Sequence, residues 1–123
     1  MNKSAIDNPD LHLKIDVNQK VIKAVLEEIL DVEIIVITDL IDFDFYEKKL
    51  NYWVHLYKCD DNSYPITISV YNIVFTIENA KTLAPTLNCE INTDFESALN
   101  EHERQLIQPN GSVTVVNSDT LFY

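Results

Sequence analysis

The chain of 123 residues contains a single glycine, Gly111. Average usage of about 7% would give roughly eight or nine. Glycine-rich phosphate loops and dinucleotide fingerprints need several glycines, because the backbone must approach the ligand closely in conformations that other residues avoid. The sequence therefore excludes both kinds of nucleotide site. Its turns must be built mainly by Asn and Asp, which tolerate left-handed backbone conformations.

Length and hydrophobic content predict one folded unit. Hydrophobic residues make up 46% of the chain, enough to offset the conformational entropy lost on folding. We expect a single globular domain over residues 1–123, with residues 1–10 as a flexible segment.

No apolar run is long enough to cross a bilayer, and the first 14 residues contain no signal-peptide core. Two cysteines that lie thirty positions apart, Cys59 and Cys89, are more typical of reduced thiols than of a disulfide. These features predict a cytoplasmic protein that has no membrane partner.

Hydrophobic periodicity predicts the first elements. Residues 11–17 alternate apolar and polar side chains, which is typical of a strand. Asn18 is a plausible N-cap for an amphipathic helix that extends to about Leu30. Residues 33–38 are β-branched and apolar and suit a central strand. The alternation from residue 39 to residue 47 predicts an extended conformation.

The second half of the chain predicts a hairpin and a second helix. Residues 52–58 and 66–70 form the hairpin, and the intervening turn is at 60–63. Residues 72–92 give a mixed signal, interpreted as a strand end followed by a short helix that stops at Pro85. Thr93 and Glu96 have capping-box spacing, which predicts a helix that ends at residues 109–111. Residues 112–116 suit a final strand.

The fold class predicted from these elements is α+β. We expect a mostly antiparallel sheet of five or six strands, with two main helices packed on one face.

Candidate reactive groups do not combine into a catalytic or metal site. His55 and Cys59 lie four residues apart, which is about 13 Å along a strand and too far to bind one ion. Acidic neighbours of both cysteines would raise the thiol pKa and disfavour nucleophilic catalysis. Asp42 and Asp44 form a carboxylate pair, but no glycine-bearing calcium loop accompanies them. We therefore expect a protein that is not an enzyme and that has no catalytic residue, cofactor or metal.

Negative charge is concentrated in two stretches of the chain, whose formal net charge is −11. Residues 27–47 contain eight carboxylates and residues 90–103 contain five, with neither Lys nor Arg from residue 24 to 47 or from 82 to 103. Together they contribute −13, so the remainder is +2. Such fields attract cationic partners and repel nucleic acid and anionic membranes. The bland alternative is that acidity serves solubility alone.

Aromatic residues interleave with the first acidic stretch, as they do in tight protein interfaces. The predicted contacts with a basic protein partner are Asp39, Asp42, Asp44, Tyr46, Glu47, Asp60 and Asp61. In size, acidity and scarcity of glycine the chain is similar to immunity proteins that neutralise basic nuclease toxins. The resemblance implies an inhibitor that covers a toxin's basic active site.

Two alternatives remain open on sequence grounds. A DNA-mimic inhibitor of a nucleic-acid-binding defence enzyme would need carboxylates spaced like phosphates along one edge. A small ligand-binding domain, or a small enzyme, would need a concave cavity lined by acids with shifted pKa values.

Overall fold

The structure is a computed structural model that describes residues 8–38, 52–59, 62–95 and 103–117. Within these ranges the chain forms seven strands and two helices. In chain order they are β1 (Leu11–Leu13), α1 (Gln19–Leu30), β2 (Ile35–Ile37), β3 (Trp53–Lys58), β4 (Ile66–Tyr71), α2 (Ile77–Leu87), β5 (Ile91–Thr93), β6 (Glu103–Ile107) and β7 (Val113–Asn117).

The strands form one mixed sheet in the order β2-β3-β4-β1-β5-β6-β7. Five neighbouring pairs are antiparallel and one pair, β2–β3, is parallel. The predicted α+β class is confirmed, and the described sheet has seven strands in place of the five or six expected. The predicted β3–β4 hairpin is also confirmed. The sequence predicts a central strand at residues 33–38, but β2 lies at one edge of the described sheet, because the connection through α1 passes β4 and β3 before β2 begins.

Both helices begin at residues that satisfy free backbone N–H groups. The Asn18 side chain accepts a hydrogen bond from Lys20 N at 2.7 Å, which confirms the predicted cap of α1. Thr76 and Asn79 form a reciprocal capping box at the start of α2. α2 continues through Pro85 to Leu87, two residues beyond the predicted stop, and it ends less than one turn after the proline.

The helix predicted to begin at Thr93 is wrong. Thr93 lies in β5, and residues 103–107 form β6, where Gln105 and Ile107 are buried at every second position. Residues 109–111 close a hairpin: Gly111 N donates to Gln108 O at 2.8 Å, and Gly111 has a φ of 86°. A three-residue loop with a left-handed third residue is a common hairpin connection. Burial in the sheet therefore outweighs the local helix signal.

The helices pack against each other and share one core with the sheet. α1 links β1 and β2, which run parallel to each other. α2 links β4 and β5, which are also parallel to each other but run opposite to β1 and β2. Right-handed crossovers with these senses put both helices on the same face of the sheet. Fully buried core residues include Leu13, Leu26, Ile68, Leu83 and Ile91.

Asn and Asp take the left-handed positions that glycine usually occupies. The positive-φ residues other than glycine in the described ranges are Asp31 (58°), Asn72 (72°) and Asn88 (54°). Asp31 and Asn88 end α1 and α2, respectively. The prediction that Asn and Asp build the turns is thus confirmed at both helix ends.

Asn8 fastens the start of the described chain to the segment that follows β4. Its Nδ2 donates to Val70 O at 3.0 Å and to Ile73 O at 2.8 Å, and its Oδ1 accepts from Phe75 N at 3.0 Å. One amide side chain therefore satisfies three backbone groups.

Candidate partner-binding surface

All the contact residues predicted from the sequence lie outside the described residues. They are Asp39, Asp42, Asp44, Tyr46, Glu47, Asp60 and Asp61. The described residues that flank them are Thr38 and Tyr52 on the first segment and Cys59 and Asn62 on the second. β2 and β3 are parallel, so Thr38 and Cys59 both follow strands that finish at the same end of the sheet.

Strand directions define two ends of the sheet. β1, β2, β3 and β6 run in one direction, and β4, β5 and β7 run in the other. We call the end where β3 begins the Trp53 end and the end where it finishes the Lys58 end. α1 follows β1 and precedes β2, so it runs from the Lys58 end to the Trp53 end, whereas α2 runs the opposite way.

Eight described carboxylates gather at the Trp53 end. They are Asp10 before β1, Glu27 and Glu28 in the last turn of α1, Asp31 and Glu33 before β2, Glu78 in the first turn of α2, Asp94 after β5 and Glu103 at the start of β6. Three cations accompany them, and each forms an ion pair with one of these acids: Lys23 with Glu27, Lys81 with Glu78 and Arg104 with Asp94. The formal charge of this group is −5.

The Lys58 end has the opposite balance among the described residues. Lys14, Lys20 and Lys58 lie there with Asp16 and Glu90, for a formal charge of +1. Asp16 pairs with Lys58 at 2.8 Å. Among the described residues, charge is therefore separated along the strand direction.

Both acidic stretches reach the Trp53 end, but from its two sides. Glu33 precedes β2, and Glu103 begins β6, which lies five strand spacings away. At about 4.8 Å per spacing the two sides are roughly 24 Å apart. The described carboxylates therefore spread across one broad end of the molecule. We call the group defined above the acidic end.

The C-terminus of α1 concentrates negative charge where the helix dipole is already negative. Glu27, Glu28 and Asp31 occupy the last turn and the cap, and the last turn has no basic residue. Glu27 is partly stabilised: it accepts from Lys23 Nζ at 2.6 Å and from Ile34 N at 2.9 Å. Both hydrogen bonds lower the pKa of Glu27, and the bond from Lys23 has the larger effect. Glu28 and Asp31 are exposed.

Arg104 organises the other side of the acidic end. Its Nε donates to Asn92 Oδ1 at 2.9 Å, and its Nη1 lies 3.5 Å from Asp94 Oδ2. Asp10 accepts from Ser69 Oγ at 2.6 Å. His12 lies next to this group. Its pKa is lowered mainly by burial and, to a smaller extent, by the positive charge of Arg104. Asp10 and Asp94 each contact a side chain that projects from a strand, Ser69 of β4 and Arg104 of β6.

A cavity of about 630 Å³ opens at the Lys58 end, between the start of α1 and the last residues of β2 and β3. Its lining includes Lys20, Thr38, Tyr57 and Lys58. The lining contains no carboxylate among the residues described, so it differs from the acid-lined pocket that a ligand-binding alternative requires. Tyr57 is 57% exposed beside it.

Neither cysteine forms a disulfide, and no group of three or more metal-binding side chains occurs within the described ranges. Burial raises the pKa of the Cys89 thiol to about 11. Cys89 is therefore a neutral thiol near pH 7 and a poor nucleophile. Trp53 is fully buried and stacks on Tyr71, with ring centroids 4.2 Å apart.

Comparison with known proteins finds no matching family model, no matching curated protein and no matching solved structure. Among the described residues, no helix has both the length and the apolar character needed to cross a membrane.

The sequence contained the signal for the acidic end but not its geometry. Residues 27–33 and 94–103 belong to the two acidic stretches, yet none of their carboxylates was among the predicted contacts. The sequence does not reveal strand direction: the capping-box spacing at Thr93 predicts a helix, and this hides the positions of Asp94 after β5 and of Glu103 at the start of β6.

Proposed function

We propose that this protein is an inhibitory binding protein whose acidic end docks on a basic protein partner, as an immunity protein covers a basic nuclease-type toxin. The observation that carries the proposal is the separation of charge among the described residues, −5 at the acidic end against +1 at the Lys58 end. Solubility alone needs a net charge and does not need that charge on one end.

The acidic end suits fast recognition of a cationic surface. A concentration of negative charge steers an oppositely charged partner into a productive orientation and raises the association rate. The breadth of about 24 Å between its two sides is comparable to a standard interface, which buries about 800 Å² on each partner. Exposed carboxylates at both sides, such as Glu33 and Asp94, would anchor the partner's orientation.

Self-repulsion at the end of α1 also supports a binding role. Carboxylates next to a helix C-terminus destabilise the free protein, and a cationic partner relieves that cost. We expect a docking site to have a higher electrostatic free energy when it is exposed than when a cationic partner covers it.

The predicted contacts Asp39, Asp42, Asp44, Tyr46, Glu47, Asp60 and Asp61 stay part of the proposal as a second contact region. Thr38 and Cys59, which precede the two segments, both follow the Lys58 end of their strands. Substitutions at the seven predicted contacts test this second region separately from the acidic end.

A DNA-mimic role is less well supported. It requires carboxylates in rows that repeat like phosphates, with one charge per about 1.7 Å of duplex axis. At the acidic end the carboxylates lie at element termini and alternate with Lys23, Lys81 and Arg104.

The test uses the basic domain encoded in the neighbouring reading frame and measures nuclease inhibition and association rate by surface plasmon resonance. We expect inhibition and an association rate that falls at least about tenfold as the Debye length shortens from about 30 to about 8 Å. Glu33→Gln should slow association several-fold. Asp16→Asn, which removes an exposed charge at the other end, should change it little.

Three results would reject the proposal. They are a neighbouring product that is not basic, an association rate that does not depend on salt, and equal effects of Glu33→Gln and Asp16→Asn.

A further inference from the structure

β7 ends the described sheet with one edge that no described strand covers. It pairs with β6 only, through Val113↔Ile107, Thr114↔Leu106 and the pairs that follow. Gln108 N donates to Ser112 O at 2.9 Å, so these two residues close the hairpin as a hydrogen-bonded pair. In an antiparallel ladder such pairs alternate with pairs that are not hydrogen-bonded.

The alternation fixes which backbone groups point away from β6. Thr114 exchanges hydrogen bonds with Leu106, two residues beyond the closing pair. The N–H and C=O groups of Val113 and Val115 therefore point to the uncovered edge. Val115 is 49% exposed, so its neighbourhood is accessible.

β7 lacks the devices that protect edge strands from pairing. Natural edges carry charged residues, proline or bulges. β7 reads Val-Thr-Val-Val-Asn, with neither a charge nor a proline, and its register with β6 is continuous.

Beyond Glu103, the β6–β7 hairpin carries no carboxylate that would repel a second copy. Residues 104–117 contain no carboxylate, although the chain has twenty, and their one charged residue is Arg104. Arg104 is paired with Asp94. Two copies at −11 each repel overall, and residues 104–117 add no negative charge to that repulsion.

We propose that β7 pairs with β7 of a second copy of this chain, antiparallel about a twofold axis at Thr114. Val113 of each copy then exchanges backbone hydrogen bonds with Val115 of the other, and the two Thr114 side chains face each other. The proposal is independent of the partner-binding function.

The antiparallel direction also suits the charge distribution. It sets the acidic end of each copy beside the Lys58 end of the other, whose described charge is +1. Parallel pairing would instead bring two ends of −5 together. Cross-strand Val–Val and Thr–Thr pairs are among the favourable neighbours in sheets.

The first test is sedimentation of the full chain at concentrations up to about 1 mM. We expect the mass to rise from 14.2 kDa to twice that value. Val115→Lys should raise the dissociation constant at least about tenfold, because lysine is a common edge-protecting residue. This change reduces the net negative charge from −11 to −10, so loss of the dimer would not result from added repulsion between whole chains.

The matched control is Val74→Lys, because Val74 is 57% exposed and lies in the segment between β4 and α2. It should dimerise like the parent chain, and both variants should show cooperative thermal unfolding.

The second test is disulfide cross-linking, which stays informative if Val115→Lys does not fold. Thr114→Cys in a Cys59→Ser background should form a covalent dimer on mild oxidation, because facing residues in such a pair have Cα atoms about 4.5 Å apart. Thr86→Cys, on the exposed side of α2, is the control and should cross-link much more slowly.

A chain that stays monomeric at every concentration would overturn the proposal. Equal dimerisation of the Val115→Lys and Val74→Lys variants, or equal cross-linking of the two cysteine variants, would also overturn it.

Discussion

The Tyr64 hydroxyl donates a hydrogen bond to Glu90 Oε2 at 2.5 Å, across 26 positions of sequence. Tyr64 is 4% exposed, and Gln108 Nε2 donates to the other carboxylate oxygen of Glu90 at 2.9 Å. Three segments of the chain therefore meet at one carboxylate, at the Lys58 end of the sheet.

Tyr64→Phe should lower the free energy of unfolding by about 1–2 kcal/mol at pH 7, because it removes a buried hydrogen bond to a charged group. Urea denaturation measures the change. Tyr57→Phe is the matched control, since Tyr57 is 57% exposed, and it should be nearly neutral. Equal effects of the two variants would show that the bond to Glu90 contributes nothing.

The stability gained from this bond should depend on pH. Burial alone would raise the pKa of Glu90, but hydrogen bonds from Tyr64 and Gln108 outweigh it and hold the pKa below its ordinary 4.5. The contribution is therefore complete above about pH 4.5 and is lost as pH falls through the folded-state pKa. The stability difference between the parent chain and Tyr64→Phe should shrink below pH 4.5. A constant difference down to pH 2 would contradict this account.

His12 should destabilise the fold on mild acidification. Burial first, and then the nearby Arg104 charge, hold its pKa below 6.5. Below pH 6.5 the unfolded chain binds more protons than the folded chain does, so unfolding free energy falls as pH decreases toward the folded-state value. His12→Asn should flatten this decline, and an NMR titration of His12 at or above 6.5 would refute it.

Asn88 should tolerate glycine better than alanine. It ends α2 with a φ of 54°, a conformation that costs an ordinary L-residue about 1 kcal/mol. Asn88→Ala should therefore lower the free energy of unfolding by about 1 kcal/mol, whereas Asn88→Gly should be neutral or slightly stabilising. Thermal unfolding of the two variants checks the prediction. If Ala is as stable as Gly, the left-handed cap carries no conformational cost.

Glu28 and Glu78 should respond with opposite signs to the loss of one charge. Glu28 lies in the last turn of α1, next to the negative end of the helix dipole, so Glu28→Gln should stabilise by about 0.3–0.5 kcal/mol at low ionic strength. Glu78 lies in the first turn of α2, so Glu78→Gln should destabilise by a similar amount. Both effects should vanish near 1 M salt, where the Debye length is about 3 Å. Changes of the same sign would contradict the dipole argument.

Local signals predicted the elements whose partners are near in sequence. Asn18 and the apolar spacing after it indicated α1, because an N-cap and an amphipathic face are read from adjacent residues. The β3–β4 hairpin was visible for the same reason. Thr93 shows the limit: its capping-box spacing is genuine in sequence, yet Thr93 is completely buried in β5, where its Oγ1 donates to Asp10 O at 2.9 Å.

The acidic end could be predicted only in part. The runs of carboxylates are evident in the sequence, and their concentration was the main functional clue. Their meeting at the same end depends on β1 pairing with β4 and β5, and no local pattern records those long-range pairings. The directions of α1 and of β6 follow from that pairing.

The central position of β1 has a consequence for synthesis of the chain. His12 pairs with Thr67 on one side and with Asn92 on the other, so β1 leaves the ribosome long before either neighbour exists. Translation at about 5–20 residues per second separates His12 from Asn92 by about 4–16 seconds. During that interval Leu11 and Leu13, both fully enclosed in the finished fold, stay open to chaperones and to other nascent chains. β1 is thus enclosed on both sides only after synthesis has reached Asn92, 80 positions after His12.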